Sequence, residues 1–194
     1  MKNQPAPPRK RNRASDEFDP FNDRLSRDIR NTLSESFADG LVRKEATEYR
    51  AAAEKWLAEK LAAGYVNYIQ DRLQRYDLVL EKIIASRLDD AMLQSLVLWN
   101  NGLFFEFHDH LERIWQKTTG DEHQALKGLI QAAGVYIHME HKRQDAAKNL
   151  SIKSLNFIRR YSHCLAFITN LDDLTKRLEN LDPVSPTLEN PALC

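Results

Sequence analysis

Residues 104–117 of the chain read FFEFHDHLERIWQK, and this stretch has the spacing of an amphipathic helix. An α-helix advances about 100° per residue, so His108, Glu112 and Trp115 share one face. The same face carries three apolar residues: Phe104, Phe105 and Leu111. Because these neighbours are apolar, we expect this face to be buried, which would make His108 and Glu112 polar groups within the core.

The opposite face of this predicted helix is charged. It carries Glu106, Asp109, His110, Arg113 and Lys117. Pairs spaced four residues apart, such as Asp109 and Arg113, are typical of a solvated face. His110 is therefore predicted to be a surface residue. Since it points away from His108, the two histidines are not expected to hold one ion together.

The next predicted helix, residues 122–141, follows after a short loop, so the two helices are expected to be antiparallel neighbours. One of its sides is a broad apolar stripe. Its other side carries Gln131 and His138 beside two glycines, which permit close helix approach at a cost of about 1 kcal/mol each. We therefore predict a polar cluster across the two helices, with Trp115 as its wall or lid, formed by His108, Glu112, Gln131 and His138.

Helical spacing continues over most of the chain, and no strand-like alternation interrupts it. Gly40 is expected to end the first helix. The predicted helices cover residues 22–40, 44–63, 66–87, 91–100, 103–117, 122–141 and 144–168. We predict an all-α fold, a compact helical bundle of about five to seven helices with antiparallel neighbours.

Four regions are expected along the chain. Residues 1–20 are predicted to be a disordered basic tail, because they carry too little apolar surface to offset the entropy of ordering. Residues 21–90 would form an N-terminal helical extension. Residues 91–168 would form the helical core that carries the His-x3-Glu-x2-Trp motif. Residues 169–194 are expected to be a short helix followed by a loose, proline-containing tail.

The composition argues against several classes of protein. The 194 residues include 28 Lys and Arg and 28 Asp and Glu, and this balance gives no general attraction to nucleic acid or to an anionic membrane. No run approaches the roughly 20 apolar residues of a membrane span. Two cysteines and a basic start without an apolar stretch favour the cytoplasm. The N-terminal helices are the expected surface for a homo-oligomer or a protein partner.

The run FFEFHDHLERIWQ, followed by LKGLIQAAGVYIHMEHKRQDAAKNL, resembles the bacterial and archaeal domain of unknown function 309 family. The family hallmark is His, three residues, Glu, two residues, then Trp or Tyr, which falls here on His108, Glu112 and Trp115. Residues 128–131 and His138 also match the family's pattern. The resemblance covers roughly residues 91–163. It implies an all-helical fold, and the hallmark has been suggested to bind metal. The chain departs from the pattern in two places, residues 140–144 and residues 146–147.

Three interpretations of the polar cluster stay open. In the first, it has a structural or interaction role and fixes the register between helices, since buried polar groups need partners. In the second, His108, Glu112 and His138 bind a divalent transition metal, with an open position that would suit a metal-dependent hydrolase. In the third, it binds an anion or a peptide without metal. The sequence contains no HExxH motif, and its residues do not decide whether the protein is an enzyme.

Overall fold

The computed structural model describes residues 17–193. Within them it contains no strand and eight α-helices, so the predicted all-α class is confirmed with one helix more than the upper expectation. The helices are α1 (Arg24–Arg43), α2 (Thr47–Leu57), α3 (Ala63–Ala85), α4 (Ala91–Asn100), α5 (Phe104–Trp115), α6 (Gly120–Glu140), α7 (Gln144–Arg160) and α8 (Leu171–Asn180). Residues 1–16 of the predicted tail, and Cys194, lie outside the described residues.

Two aspartates begin helices by satisfying backbone N–H groups that have no partner within the helix. Asp23 accepts the N–H of Ser26 at 2.7 Å before α1. Asp90 accepts the N–H of Leu93 at 2.9 Å before α4. These caps explain why both helices begin close to where the sequence places them.

Gly40 does not end α1, so that prediction is wrong. The helix continues to Arg43, and Lys44 then adopts the left-handed conformation with φ 57°. A Cβ atom on residue 40 would lie 2.7 Å from the carbonyl oxygen of Glu45. Glycine is therefore required inside the helix, where the chain folds back towards α2.

One hydrophobic core joins the helices. No helix between residues 17 and 193 is long and apolar enough to cross a membrane. At one centre of this core, the ring of Trp99 packs edge-on against Phe104, Phe107 and Tyr136. At another, Phe37 of α1 stacks on Tyr76 of α3 with ring centroids 4.0 Å apart. The region predicted as an N-terminal extension is thus part of the same core as α4 to α7.

The C-terminal tail lies against the bundle, contrary to the prediction of a loose tail. The indole N–H of Trp99 donates to the carbonyl oxygen of Pro186 at 2.8 Å. The side-chain amide of Asn100 accepts the N–H of Leu188 at 2.7 Å and donates to its carbonyl oxygen at 2.9 Å. The end of α4 thus supplies hydrogen-bond partners for the backbone of the tail, and the Leu188 side chain is buried. These contacts hold the tail in place despite its prolines.

The N-terminal segment, residues 17–23, also lies against the bundle, so the last part of the tail predicted to be disordered is ordered. Phe18 stacks on Tyr68 of α3 at a centroid distance of 3.6 Å. Phe21 stacks on His138 near the end of α6 at 4.8 Å. These ring contacts supply the apolar burial that composition alone did not reveal.

Candidate functional site

Helix α5 is rotated relative to the orientation that the sequence suggested. Its core side is centred on Phe107 and Leu111, which are both fully buried. The His108 and Glu112 side chains lie at the edge of that side and remain 30% and 42% exposed. The prediction that they form a buried polar cluster is therefore wrong, because α1 and α3 cover part of the helix surface that was expected to face solvent.

Three side chains of α5 that can bind a metal converge at its surface. The Nδ1 atom of His108 lies 3.5 Å from Oδ1 of Asp109 and 3.9 Å from Oε2 of Glu112. One donor atom from each residue lies within 4.8 Å of the other two. The Nδ1 atom of His108 is itself buried and has no hydrogen-bond partner among the described residues. Such an atom needs an explanation, and an ion or a water molecule is the usual one.

Asp109 joins this group although the sequence placed it on the solvated face. Its Oδ2 atom accepts a hydrogen bond from the buried hydroxyl of Ser34 in α1 at 3.1 Å. That bond fixes the carboxylate with its other oxygen towards His108. Adjacent residues of a helix point in directions about 100° apart. Helical spacing alone therefore did not predict that the side chains of His108 and Asp109 approach each other. The only hint in the sequence was the spacing of His108, Asp109 and Glu112 itself.

Arg30 of α1 lies beside this group. Its guanidinium carbon stands 3.8 Å from the centre of the Phe105 ring. Its Nε and Nη2 atoms donate to the side-chain oxygen of Asn31 at 3.2 and 3.1 Å. Burial lowers the pKa of Arg30, and the charges of Asp109 and Glu106 offset part of that effect. The group thus has a partly desolvated cation next to it.

Gln131 lies on the side of α6 that packs against α7, whereas the prediction turned it towards α5. Gly128 and Gly134, one turn before and one turn after it, both come close to α7: an added Cβ would approach Ile158 and Leu150. The glycines thus serve the α6–α7 contact. The Oε1 atom of Gln131 is buried without a hydrogen-bond partner in the described part of the chain.

His138 lies near the C-terminal end of α6, outside the His108 group. Its Nδ1 atom accepts a hydrogen bond from Nε of Arg143 at 3.3 Å, and its ring stacks on Phe21. Burial and the Arg143 charge lower its pKa. His138 therefore contacts the N-terminal segment. The sequence analysis had predicted His138 as the third metal ligand, and in the structure Asp109 occupies that position.

Trp115 closes the loop between α5 and α6. Its indole N–H donates to the carbonyl oxygen of His123 at 2.9 Å, and the two rings stack at 4.2 Å. Trp115 was predicted to be the wall or lid of the polar cluster, whereas its indole contacts the first turn of α6. Trp115 thus holds the end of α5 against the start of α6.

Glu106 is buried, and its assignment to a solvated face is wrong. One carboxylate oxygen accepts the hydroxyl of Tyr76 at 2.5 Å, and the other lies 3.7 Å from Nη1 of Arg72. Both partners come from α3, whose packing on α5 the local pattern did not show. His110, half-buried, has Nε2 3.0 Å from the carbonyl oxygen of Ala91 and lies outside the metal-capable group.

The fold and site define a class: an all-helical protein whose metal-capable side chains lie on one helix of its C-terminal half. Residues 92–150 match a family model described as Domain of unknown function (DUF309). This match confirms the resemblance noted in the sequence, and it spans α4, α5, α6 and the start of α7. No curated protein and no solved structure matches the chain. Arg30 and Ser34 lie outside the matched residues.

Proposed function

We propose that the protein binds a divalent transition metal through His108, Asp109 and Glu112. The observation that carries this proposal is the convergence of their three donor atoms within 4.8 Å, together with the buried imidazole nitrogen that has no partner in the described residues. One imidazole and two carboxylates are a donor set that suits zinc, iron(II), nickel and manganese.

The spacing of the donor atoms is compatible with this chemistry. Ligands on a tetrahedral zinc ion are about 3.4 Å apart, given metal–ligand bonds near 2.0–2.1 Å. The distances of 3.5 and 3.9 Å from His108 Nδ1 need only small side-chain rotations to reach that value. Three protein ligands leave a coordination position open, which a metal-dependent hydrolase would use for water or substrate.

A purely structural role for the motif has less support. A structural network requires its members to be mutually hydrogen-bonded. His108 and Glu112 are half-exposed, and their closest nitrogen–oxygen distance, 3.9 Å, is too long for a hydrogen bond. Gln131 and His138 face other parts of the molecule. The metal interpretation accounts for the His108 nitrogen, which the structural one leaves unexplained.

Elemental analysis of untagged, purified protein tests the proposal. We expect one equivalent of a transition metal per chain, lost in His108→Ala and strongly reduced in Asp109→Asn. His163→Ala is the matched control, because His163 also lies beside a carboxylate, 3.4 Å from Asp121, at an exposed place. Among residues 17–193, no third potential ligand joins this pair. Removal of the metal by a chelator should lower the melting temperature of the wild type. Metal-free protein that is unaffected by chelator would overturn the proposal.

We also infer a cytoplasmic location, which rests on cysteine usage. Cys164 is half-buried and forms no disulfide among the described residues. Free thiols are the ordinary state of cysteine in a reducing compartment. Fractionation of cells tests this inference, and recovery of the protein outside the cytoplasm would contradict it.

A further inference from the structure

The guanidinium of Arg30 is held in place next to the proposed metal ligands. It lies over the ring of Phe105 at 3.8 Å. Phe105 precedes His108 by three residues and Asp109 by four, so all three belong to one side of α5. The stacking contact and the hydrogen bonds to Asn31 fix the direction of the guanidinium before any ligand arrives.

Arg30 has a positive charge that Asp109 and Glu106 attract from a distance but that no described residue pairs directly. Its hydrogen bonds use Nε and Nη2, both towards a neutral amide oxygen. Among residues 17–193 it forms no ion pair, although other arginines of the bundle do, including Arg24 with Asp28 and Arg50 with Asp77. A partly desolvated guanidinium costs free energy when no anion binds it directly.

The charges around the site indicate what that partner would be. The two carboxylates of Asp109 and Glu112 would balance a divalent cation, so a loaded site would leave the charge of Arg30 in excess. An oxygen anion could then coordinate the open metal position and accept hydrogen bonds from Nη1 of Arg30. A guanidinium binds phosphate and carboxylate groups in this way.

We propose that the metal site takes a small oxyanion, a phosphate or carboxylate group, which Arg30 binds from α1 across the ring of Phe105. This inference rests on the proposed metal site and names the ligand class for it. It also gives α1, which lies outside the matched family domain, a direct part in recognition. Arg30 is a binding residue in this proposal, whereas Ser34 positions Asp109.

Calorimetric titration of the zinc-loaded full chain with inorganic phosphate, and separately with acetate, tests the proposal. We expect at least one of the two anions to bind, and the comparison shows whether the site prefers the phosphate or the carboxylate. Arg30→Met should weaken that binding by roughly tenfold to a hundredfold, the effect of losing a hydrogen bond to a charged group. Its zinc affinity should not fall, because Arg30 is not a metal ligand and its charge repels the cation.

Arg24→Met is the matched control, because Arg24 lies on the same helix with a side chain that is 90% exposed. It should bind the anion as the wild type does. Arg30→Lys keeps the charge and loses the fork of donors, so it carries the test if Arg30→Met does not fold, with a several-fold weakening expected.

The outcomes separate the two proposals. Zinc binding without binding of either anion, or equal anion binding by the wild type and both Arg30 variants, would overturn the role of Arg30 and leave the metal site standing. A wild-type protein that binds no metal would overturn both. Anion binding that survives removal of the zinc would also contradict the arrangement, since the anion would then not need the metal.

Discussion

Gly128 and Gly134 lie on the face of α6 that packs against α7, and they differ in what an added methyl group would meet. At residue 128 the new Cβ would lie 3.0 Å from Cγ1 of Ile158 and 3.1 Å from its backbone nitrogen. At residue 134 it would meet only the end of the Leu150 side chain, at 2.6 Å. A backbone atom cannot move aside without shifting α7, whereas a leucine can change its rotamer.

We therefore expect Gly128→Ala to destabilise the protein by roughly 1–3 kcal/mol, the usual cost of overpacking. Gly134→Ala should be near neutral, or stabilising by up to about 1 kcal/mol through helix propensity. Urea denaturation of both variants measures the difference. If Gly128→Ala proves as stable as Gly134→Ala, the close packing of α6 on α7 is contradicted.

Glu106 of α5 and Arg72 of α3 form a buried ion pair. The Glu106 side chain is 2% exposed, and the Arg72 side chain opposite it is 10% exposed. Removing one partner of such a buried pair leaves the other charge without compensation, so Glu106→Ala should cost roughly 3–5 kcal/mol of unfolding free energy. The double variant Arg72→Met, Glu106→Leu is the control and should recover much of that loss. A cost for Glu106→Ala below about 0.5 kcal/mol would show that the pair is solvated.

At the scale of elements, the N-terminal segment and the end of α6 form a pH-sensitive contact. Burial lowers the pKa values of His138 and His141, so the folded state favours their neutral forms. Phe21 contacts both rings. Stability from these groups is present above the unfolded pKa of about 6.5 and is lost as the pH falls below it towards the folded values.

The variant His138→Gln, His141→Gln should therefore lose less stability between about pH 7.5 and pH 5.5 than the wild type. Melting temperatures across that range, with hydrogen exchange of residues 17–23, measure the effect. Desolvation raises the pKa of Glu140 to about 7, so protonation of Glu140 stabilises the folded state as the pH falls. Because Glu140 is present in every variant, the effect of the histidines is the difference between the variants and the wild type. His163→Gln, at an exposed histidine, is the control. Equal pH slopes for the double variant and the wild type would contradict the prediction.

Helix positions could be predicted from local spacing, but helix partners could not. The bounds predicted for α4, residues 91–100, agree with the structure, because Asp90 caps its start and Gly102 follows its end. The prediction for α5 found the helix and missed its orientation. Glu106 and Asp109 look like surface charges in a local pattern. Their partners, Arg72 and Ser34, are distant in sequence, and no helical periodicity connects them.

In the whole molecule, residues 92–150, which match the family model, share one core with the helices before them. Phe37 and Tyr76, from α1 and α3, belong to the same buried cluster as Phe107 of α5. Glu106 of α5 is paired with α3. We therefore expect the full chain to unfold in a single transition, with the circular dichroism and tryptophan fluorescence midpoints coinciding.

A fragment of residues 91–194 should lack that transition, because it would expose the surfaces of α4 and α5 that α1 and α3 cover. Circular dichroism of the fragment checks this expectation. Cooperative melting of the fragment at the wild-type temperature would show that the N-terminal helices are an independent extension, as the sequence had suggested.

Calorimetric titration of metal-free full-length protein with zinc and with manganese tests the metal site most directly. The convergence of His108, Asp109 and Glu112 predicts one site per chain, abolished by His108→Ala and unchanged in His163→Ala. Binding that requires His138 in place of Asp109 would contradict the ligand set. Titration without any saturable binding would contradict the metal site itself.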